Sequence, residues 1–257
     1  GQSHHAIHGL AGRLRLPGEK RLRSVANRVW FHLMGKGIVD PVDDFRDSNP
    51  PSNDELLQAL AADFAAHKYD LKHLIRTILN SRTYQLSAQP NEFNADDDKY
   101  FSKAVTKLLT AEQLLDALCD LTGVPEKYPG LPAGTRATQL PSPDVNHYFL
   151  KVFGQPPREM ACQCERSTES NLSQALQMIN GPLVHGKLRE AGNRFRKLAE
   201  AGKSDAEIVA ELYMAALCRE PAASELEAAT QHIAAQADRM QGLEDVCWAI
   251  LNAKEFL

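Results

Sequence analysis

No stretch of this chain approaches the roughly 20 consecutive apolar residues needed to cross a bilayer, so it carries no membrane span. A surplus of positive charge is missing too. Acidic residues outnumber basic ones 33 to 29, the net charge is -4, and bulk attraction to nucleic acid is excluded. The two signs are interspersed, as on solvated helix faces. Cysteine is scarce: five scattered thiols cannot build a disulfide scaffold, and the odd number leaves at least one unpaired in a monomer. Neither redox compartment follows from that count. Absent as well are the Gly-x-Ser-x-Gly elbow, the phosphate loop, the dinucleotide fingerprint and His-Glu-x-x-His, so no familiar enzyme signature is present. The chain opens on Gly1 without a signal-peptide pattern, which reads as a processed product or an excised piece.

What is present is helical period. Leu22, Val25, Ala26, Val29, Trp30 and Leu33 recur at steps of three and four, a stripe that must be buried. Gly35 and Gly37 stop that helix. After Pro50-Pro51, Ser52 with Glu55 reads as a capping box before Leu56, Leu57, Leu60, Ala61 and Phe64. Leu71, Leu74, Ile75, Ile78 and Leu79 form a third stripe behind Asp70. Thr110 with Gln113 opens a helix that ends at Gly123. Leu172, Ala175, Leu176 and Ile179 make another stripe, ended by Gly181-Pro182. Ser204 with Glu207 opens the next, and two further helices run from about Ala223 to Arg239 and Gly242 to Phe256. No alternating run suggests a sheet. The expected fold is all-α, a multi-helix globular domain of about eight to ten helices.

One segment breaks the pattern. Residues 123–169 hold seven prolines and no sustained period, far beyond an ordinary connection of about 12–15 residues. They also hold Tyr128, His147, Tyr148, Phe149 and Phe153, which a disordered linker would lack, so this connection is expected to pack across the helices. The division that follows is a flexible N-terminal segment, 1–20, and one helical domain, 21–257, with halves at about 21–122 and 170–257 joined by that loop.

Several residues are candidates for chemistry. Cys162-Gln163-Cys164 offers two thiols: structural thiols or a disulfide to a distant cysteine come first, with a soft metal or redox chemistry as alternatives. Glu165, His147 and His185 are the only nearby additional ligands. Cys119, Cys218 and Cys247 fall within predicted helices and read as buried small hydrophobes. Asp40, Asp43, Asp44 and Asp47 form the densest acidic cluster; their spacing does not match a calcium loop, and turn or cap chemistry is the simpler use. Arg46 and Arg166 suit buried ion pairs. Asn27 and Arg28, beside the Trp30 stripe, are placed to tie down the loop carrying Asp43 and Asp44, with Glu165 a further structural partner. His4, His5 and His8 read as tail residues.

The blocks "ANRVWFHLMGKGIVDPVDDFRDSNPPSNDELLQAL", "LKHLIRTILNSRTYQLS", "CQCERSTESNLSQALQMINGPLV", "ELYMAALCREPAASELEAA" and "AILNAKEFL" occur in one order between Arg21 and Leu257. Together they resemble a planctomycete-specific family, the domain of unknown function 1553, which has no assigned biochemistry. The resemblance implies an exported bacterial parent, periplasmic or extracellular, in which a haem-binding cytochrome c-like segment and a second uncharacterised domain precede this one. The chain contains no Cys-x-x-Cys-His, so any haem belongs to an upstream domain.

The expectation for function is a non-catalytic binding or scaffold module. Tyr148, Phe149 and Phe153, with His147, Arg46 and Arg166, would form a face for another domain of the parent or for a cell-surface glycan. No cofactor is expected in the chain itself, a metal at Cys162 and Cys164 aside. The alternative is a metal- or thiol-dependent redox or hydrolytic module centred on Cys162, Cys164, Glu165 and Arg166.

Overall fold

The computed structural model describes residues 17–141, 145–156 and 172–257. Among them the ordered elements are all helical and no strand occurs. The chain divides into two compact units that part at Lys107–Leu108. The described stretches of the proline-rich connection therefore belong to the second unit.

The first unit contains α1 (Pro17–Met34), α2 (Asp54–Ala66) and α3 (Leu71–Leu79). Ala26, Trp30 and Met34 of α1 pack with Leu57, Leu60 and Phe64 of α2 and with Leu74 and Ile78 of α3. Trp30 meets the ring of Phe101 edge-on, with centroids 5.3 Å apart. The third stripe is narrower than its period implied: Leu74 and Ile78 are buried, whereas Leu71 and Ile75 face solvent. Two buried positions suffice because α3 has only nine residues over a small core.

The cap of α2 differs from the expected box. Asn53, not Ser52, is the capping residue, its side chain accepting from Leu56 N at 2.9 Å. Ser52 instead donates both its backbone N–H and its hydroxyl to Ile38 O. That contact closes the Gly35–Asn53 loop on itself.

Asn27 closes the same loop from the other side. Fully buried, it donates from Nδ2 to Val39 O (2.8 Å) and Val42 O (2.9 Å) and accepts from Val39 N (3.0 Å). An amide is the side chain that can donate twice and accept at once, so one residue satisfies both buried backbone groups of Val39 and the partly buried carbonyl of Val42. Gly37 lets the backbone come this close: a Cβ there would lie 2.1 Å from Val39 O. Gly35, by contrast, stops α1 in the left-handed conformation, at φ +82°. Arg28 reaches Asp43 at 2.8 Å, the pinning contact read from the sequence. Asp44 binds Arg46 through two bonds of 2.6 Å, but Arg46 is largely exposed and two residues away. Arg46 is thus a surface turn pair and not a buried one.

The second unit begins with α4 (Ala111–Thr122), then a 3-10 turn (Ala137–Gln139), α5 (Tyr148–Val152), α6 (Leu172–Asn180), α7 (Pro182–Arg189), α8 (Arg194–Glu200), α9 (Asp205–Leu217), α10 (Ala223–Ala235) and α11 (Arg239–Leu251). Both predicted capping boxes, Thr110 with Gln113 and Ser204 with Glu207, are formed. Leu114, Leu115, Leu118 and Leu121 of α4 lie at the core with Leu188, Phe195, Ile208, Leu212, Leu243 and Leu251. The connection contributes Tyr128, Ala137, Leu140, Phe149 and Leu150 to the same core.

Two expectations are corrected here. Of α6, Met178 is the buried residue, whereas Leu172, Leu176 and Ile179 are exposed among the described residues. Gln174 Nε2, donating to Val152 O at 3.1 Å, fixes that rotation by facing α5. Cys218 is not inside a helix: α9 ends before it, and it sits exposed in the left-handed conformation at φ 54°.

Replacing Asn27 with Ala removes three hydrogen bonds and leaves the N–H and carbonyl of Val39 buried without them. We expect the first unit to lose roughly 2–4 kcal/mol. Trp30 fluorescence in a Trp248→Phe background should show this as a lower urea midpoint, and an unchanged midpoint would contradict the assignment.

Candidate binding site

The site grows from the end of α4. Its buried face is leucine, but Asp116, Cys119 and Asp120 share the flank that turns toward the connection. After Thr122 the chain must reverse, and Gly123 takes the left-handed conformation at φ +69° with the backbone of Arg194 alongside. The last carbonyls of a helix have no amides to accept from. Here Arg194 supplies them, donating from Nε to Leu121 O (3.0 Å) and from Nη2 to Asp120 O (2.7 Å). Lys187, its side chain almost wholly buried, continues the pattern by donating to Val124 O at 2.8 Å. Positive side chains also suit the negative end of the helix dipole.

Asp116 binds the connection to α4. Its two oxygens accept from Ala137 N (2.7 Å), Thr138 N (3.1 Å) and the Thr138 hydroxyl (2.7 Å). Arg136, one residue before, forms an ion pair with Asp120. Between α4 and this turn lies a cleft of about 320 Å³, lined by Asp116, Cys119, Asp120, Glu126, Arg136 and Arg194 among others.

Behind the cleft is a buried polar cluster. Glu126 Oε2 stands 3.1 Å from Lys187 Nζ and 3.9 Å from His147 Nε2. It lacks hydrogen-bond geometry to either, and Tyr128 Oη and His147 Nδ1 are likewise buried without a hydrogen-bond partner. The rings of Tyr128 and His147 are 6.0 Å apart. Burial lowers the pKa of His147 despite the attraction of Glu126, so the imidazole is held neutral. Burial raises Tyr128, reinforced by the nearby Cys119 and Glu126. Burial also raises the Cys119 thiol, outweighing the Lys187 charge and hydrogen bond that oppose it. The thiol stays protonated at neutral pH, the opposite of an activated nucleophile.

Of the residues singled out from sequence, His147 enters this cluster as the residue preceding α5. Its neighbours do not form the expected aromatic face. Phe149 is buried in the core and stacks on the partly buried Phe153 at 4.3 Å, leaving Tyr148 as the exposed ring. Asn27, Arg28, Asp43, Asp44 and Arg46 belong to the first unit and are not among the residues that line this cleft. Cys162, Cys164, Glu165 and Arg166, with His4, His5 and His8, lie outside the described residues.

Sequence reading missed Asp116, Asp120, Glu126, Arg136, Lys187 and Arg194. Asp116-x-x-Cys119-Asp120 was visible as a polar flank on a leucine helix, but a solvated face gives the same pattern. Lys187 and Arg194 come from more than 60 residues away, and no local period announces them.

The model of a family described as a protein of unknown function, DUF1553 (PSD1), matches residues 18–233. The chain belongs to this family. No curated protein and no solved structure matches it. All the cleft residues named above fall inside the DUF1553 match, and so does the loop pinned by Asn27.

The three described thiols should react in order of access and ionisation. Cys218 is exposed; Cys119 is partly buried; Cys247 is wholly buried, its pKa pushed up to about 12. In timed alkylation at pH 8 read by peptide mass spectrometry, Cys119 should lag Cys218 by about 10-fold or more, with Cys247 modified only on unfolding. Rapid labelling of Cys119 would show an activated thiol instead.

Proposed function

We propose that this domain is a non-catalytic binding module, and that the cleft at the end of α4 receives a short, hydroxyl-rich saccharide segment. The observation that carries the reading is the pairing of the acids around the cleft. Asp116 accepts three hydrogen bonds from the 3-10 turn, Asp120 is held by Arg136, and Glu126 stands against Lys187. General acid–base catalysis needs a carboxyl free to exchange its proton with substrate. Carboxylates committed to structural partners serve recognition better than proton transfer, and the protonated Cys119 supplies no nucleophile.

The ligand class follows from the same pairs. Each sugar hydroxyl both donates and accepts, so it is matched where an acceptor and a donor lie side by side. The Asp120–Arg136 pair offers that arrangement at the rim, with both side chains about half exposed. A cleft of about 320 Å³ lies within the range of small-ligand sites. In an exported multidomain parent, a surface glycan would be the polymer within reach.

Calorimetric titration with neutral and uronic-acid oligosaccharides tests the proposal. We expect binding in the micromolar-to-millimolar range, roughly -8 to -4 kcal/mol. Asp120→Ala and Arg136→Ala should each weaken it at least about 10-fold with the circular dichroism spectrum unchanged. No binding by any member of the panel would sink the saccharide assignment. Binding indifferent to both substitutions would move it away from this cleft.

A further inference from the structure

The turn between α2 and α3 gathers three groups that no family description assigns to any role. Asp63 lies in the last turn of α2, His67 caps its C-terminus, and His73 stands in the first turn of α3. Asp63 divides its carboxylate between the rings: Oδ2 is 2.8 Å from His73 Nε2, and Oδ1 is 3.2 Å from His67 Nδ1. The two imidazoles are stacked, with centroids 3.6 Å apart and planes 20° from parallel. One ligand atom from each of the three lies within 4.8 Å of the others, and this is the one such group of three among the described residues.

The arrangement is built rather than loose. The His67 N–H donates to Asp63 O at 3.0 Å, closing the helix end. Asp70 accepts from Lys72 N and His73 N, fixing the start of α3. Between these caps, Lys68 and Tyr69 both adopt the left-handed conformation, at φ 55° and 63°. Side chains with a Cβ take that conformation at a cost, so the reversal that brings His73 back over Asp63 is strained. Thr77 Oγ1 lies 3.4 Å from His73 Nε2 and is the second polar neighbour of that nitrogen.

We propose that Asp63, His67 and His73 form a site for a divalent transition metal of the zinc class. Two imidazoles and one carboxylate are the donor set such an ion takes, and three protein ligands leave a position for water. His67 Nδ1 also lies 2.9 Å from the Asp63 backbone carbonyl oxygen, a contact that a metal at this nitrogen would replace. The in-plane lone pairs of stacked rings run nearly parallel, so to share one ion with His73 the His67 ring turns out of the stack, which its half-exposed position allows. The half-exposed position of His67 gives the ion an entry path. Bound there, the metal ties the end of α2 to the start of α3. The site is independent of the cleft and of the reading attached to it.

Calorimetry and hydrogen exchange on the full chain decide the matter. The background carries His4, His5 and His8 replaced by Ala and Cys162, Cys164 and the exposed Cys218 by Ser, so that these donors do not compete. We expect Zn2+ or Co2+ to bind at one equivalent and to slow exchange of amides 67–74, while Mg2+, which prefers oxygen ligands, does neither. Asp63→Ala and His73→Gln should each weaken binding about 10-fold or more. Gln can still offer an N–H to Asp63 but cannot replace the ring nitrogen as a ligand, so this variant keeps the turn while removing the donor. Lowering the pH should weaken binding, since protons compete for the ring nitrogens. Absence of heat and of exchange protection with Zn2+, or an equal response in His73→Gln, would overturn the proposal and leave the three residues as a hydrogen-bonded clamp.

Discussion

The second unit depends on how the end of α4 is satisfied. A helix that stops inside a folded unit leaves carbonyl oxygens with no amide partners, and burying them unpaired costs about 1–3 kcal/mol each. Arg194 solves this with a long cationic side chain that arrives from the start of another helix, and Lys187, near the end of a third, binds Val124 O just past the turn. The solution has a geometric consequence. The cations must lie next to the turn, and acids must stand near them to balance their charge. Glu126 beside Lys187 and Glu211 at 3.4 Å from Arg194 are those acids. A polar cleft at this point is thus the outcome of terminating the helix inside the folded unit.

The first unit meets a similar demand by a shorter route. Its irregular segment, Gly35 to Asn53, must fold back over α1, and Asn27 offers from within α1 the donors and acceptor that the returning backbone lacks. A neutral amide serves here because the groups to be satisfied include both an N–H and two carbonyls, whereas the end of α4 presents carbonyls alone and can use charge. The same principle selects Asn in one place and Arg or Lys in the other.

These contacts also explain what could be read from the chain in advance. The capping boxes at Thr110 and Ser204, the stop at Gly123 and the leucine stripe of α4 depend on residues within four positions of one another, and all were legible. Family membership was legible for the same reason, since its blocks are contiguous. Arg28 with Asp43 and Asn27 with its loop were legible at the level of which loop is held, because helix and loop adjoin in sequence. What could not be seen was partnership at long range. Nothing local distinguishes Arg194 from Arg189, although the first closes α4 and the second is an exposed partner of Glu244. The rotation of α6 was misread for a related reason: Leu172, Leu176 and Ile179 have the spacing of a buried stripe, but Gln174 is held by Val152 O and Met178 fills the core.

Cys119 shows how environment, and not residue type, decides the chemistry available at the cleft. A thiol one helical turn from Asp116 and hydrogen-bonded by Lys187 has two of the features that activate cysteines, an adjacent cation and a position at a cleft. Activation requires that the thiolate be stabilised relative to the thiol, and desolvation acts against the charged form. Glu126 adds to that effect, since it draws the Lys187 charge toward itself and places its own negative charge near the sulfur. The balance therefore falls on the side of the neutral thiol. The proposed binding role rests on that balance together with the partners of Asp116 and Asp120, since among the described residues neither a free thiolate nor an unpartnered carboxylate stands at the rim.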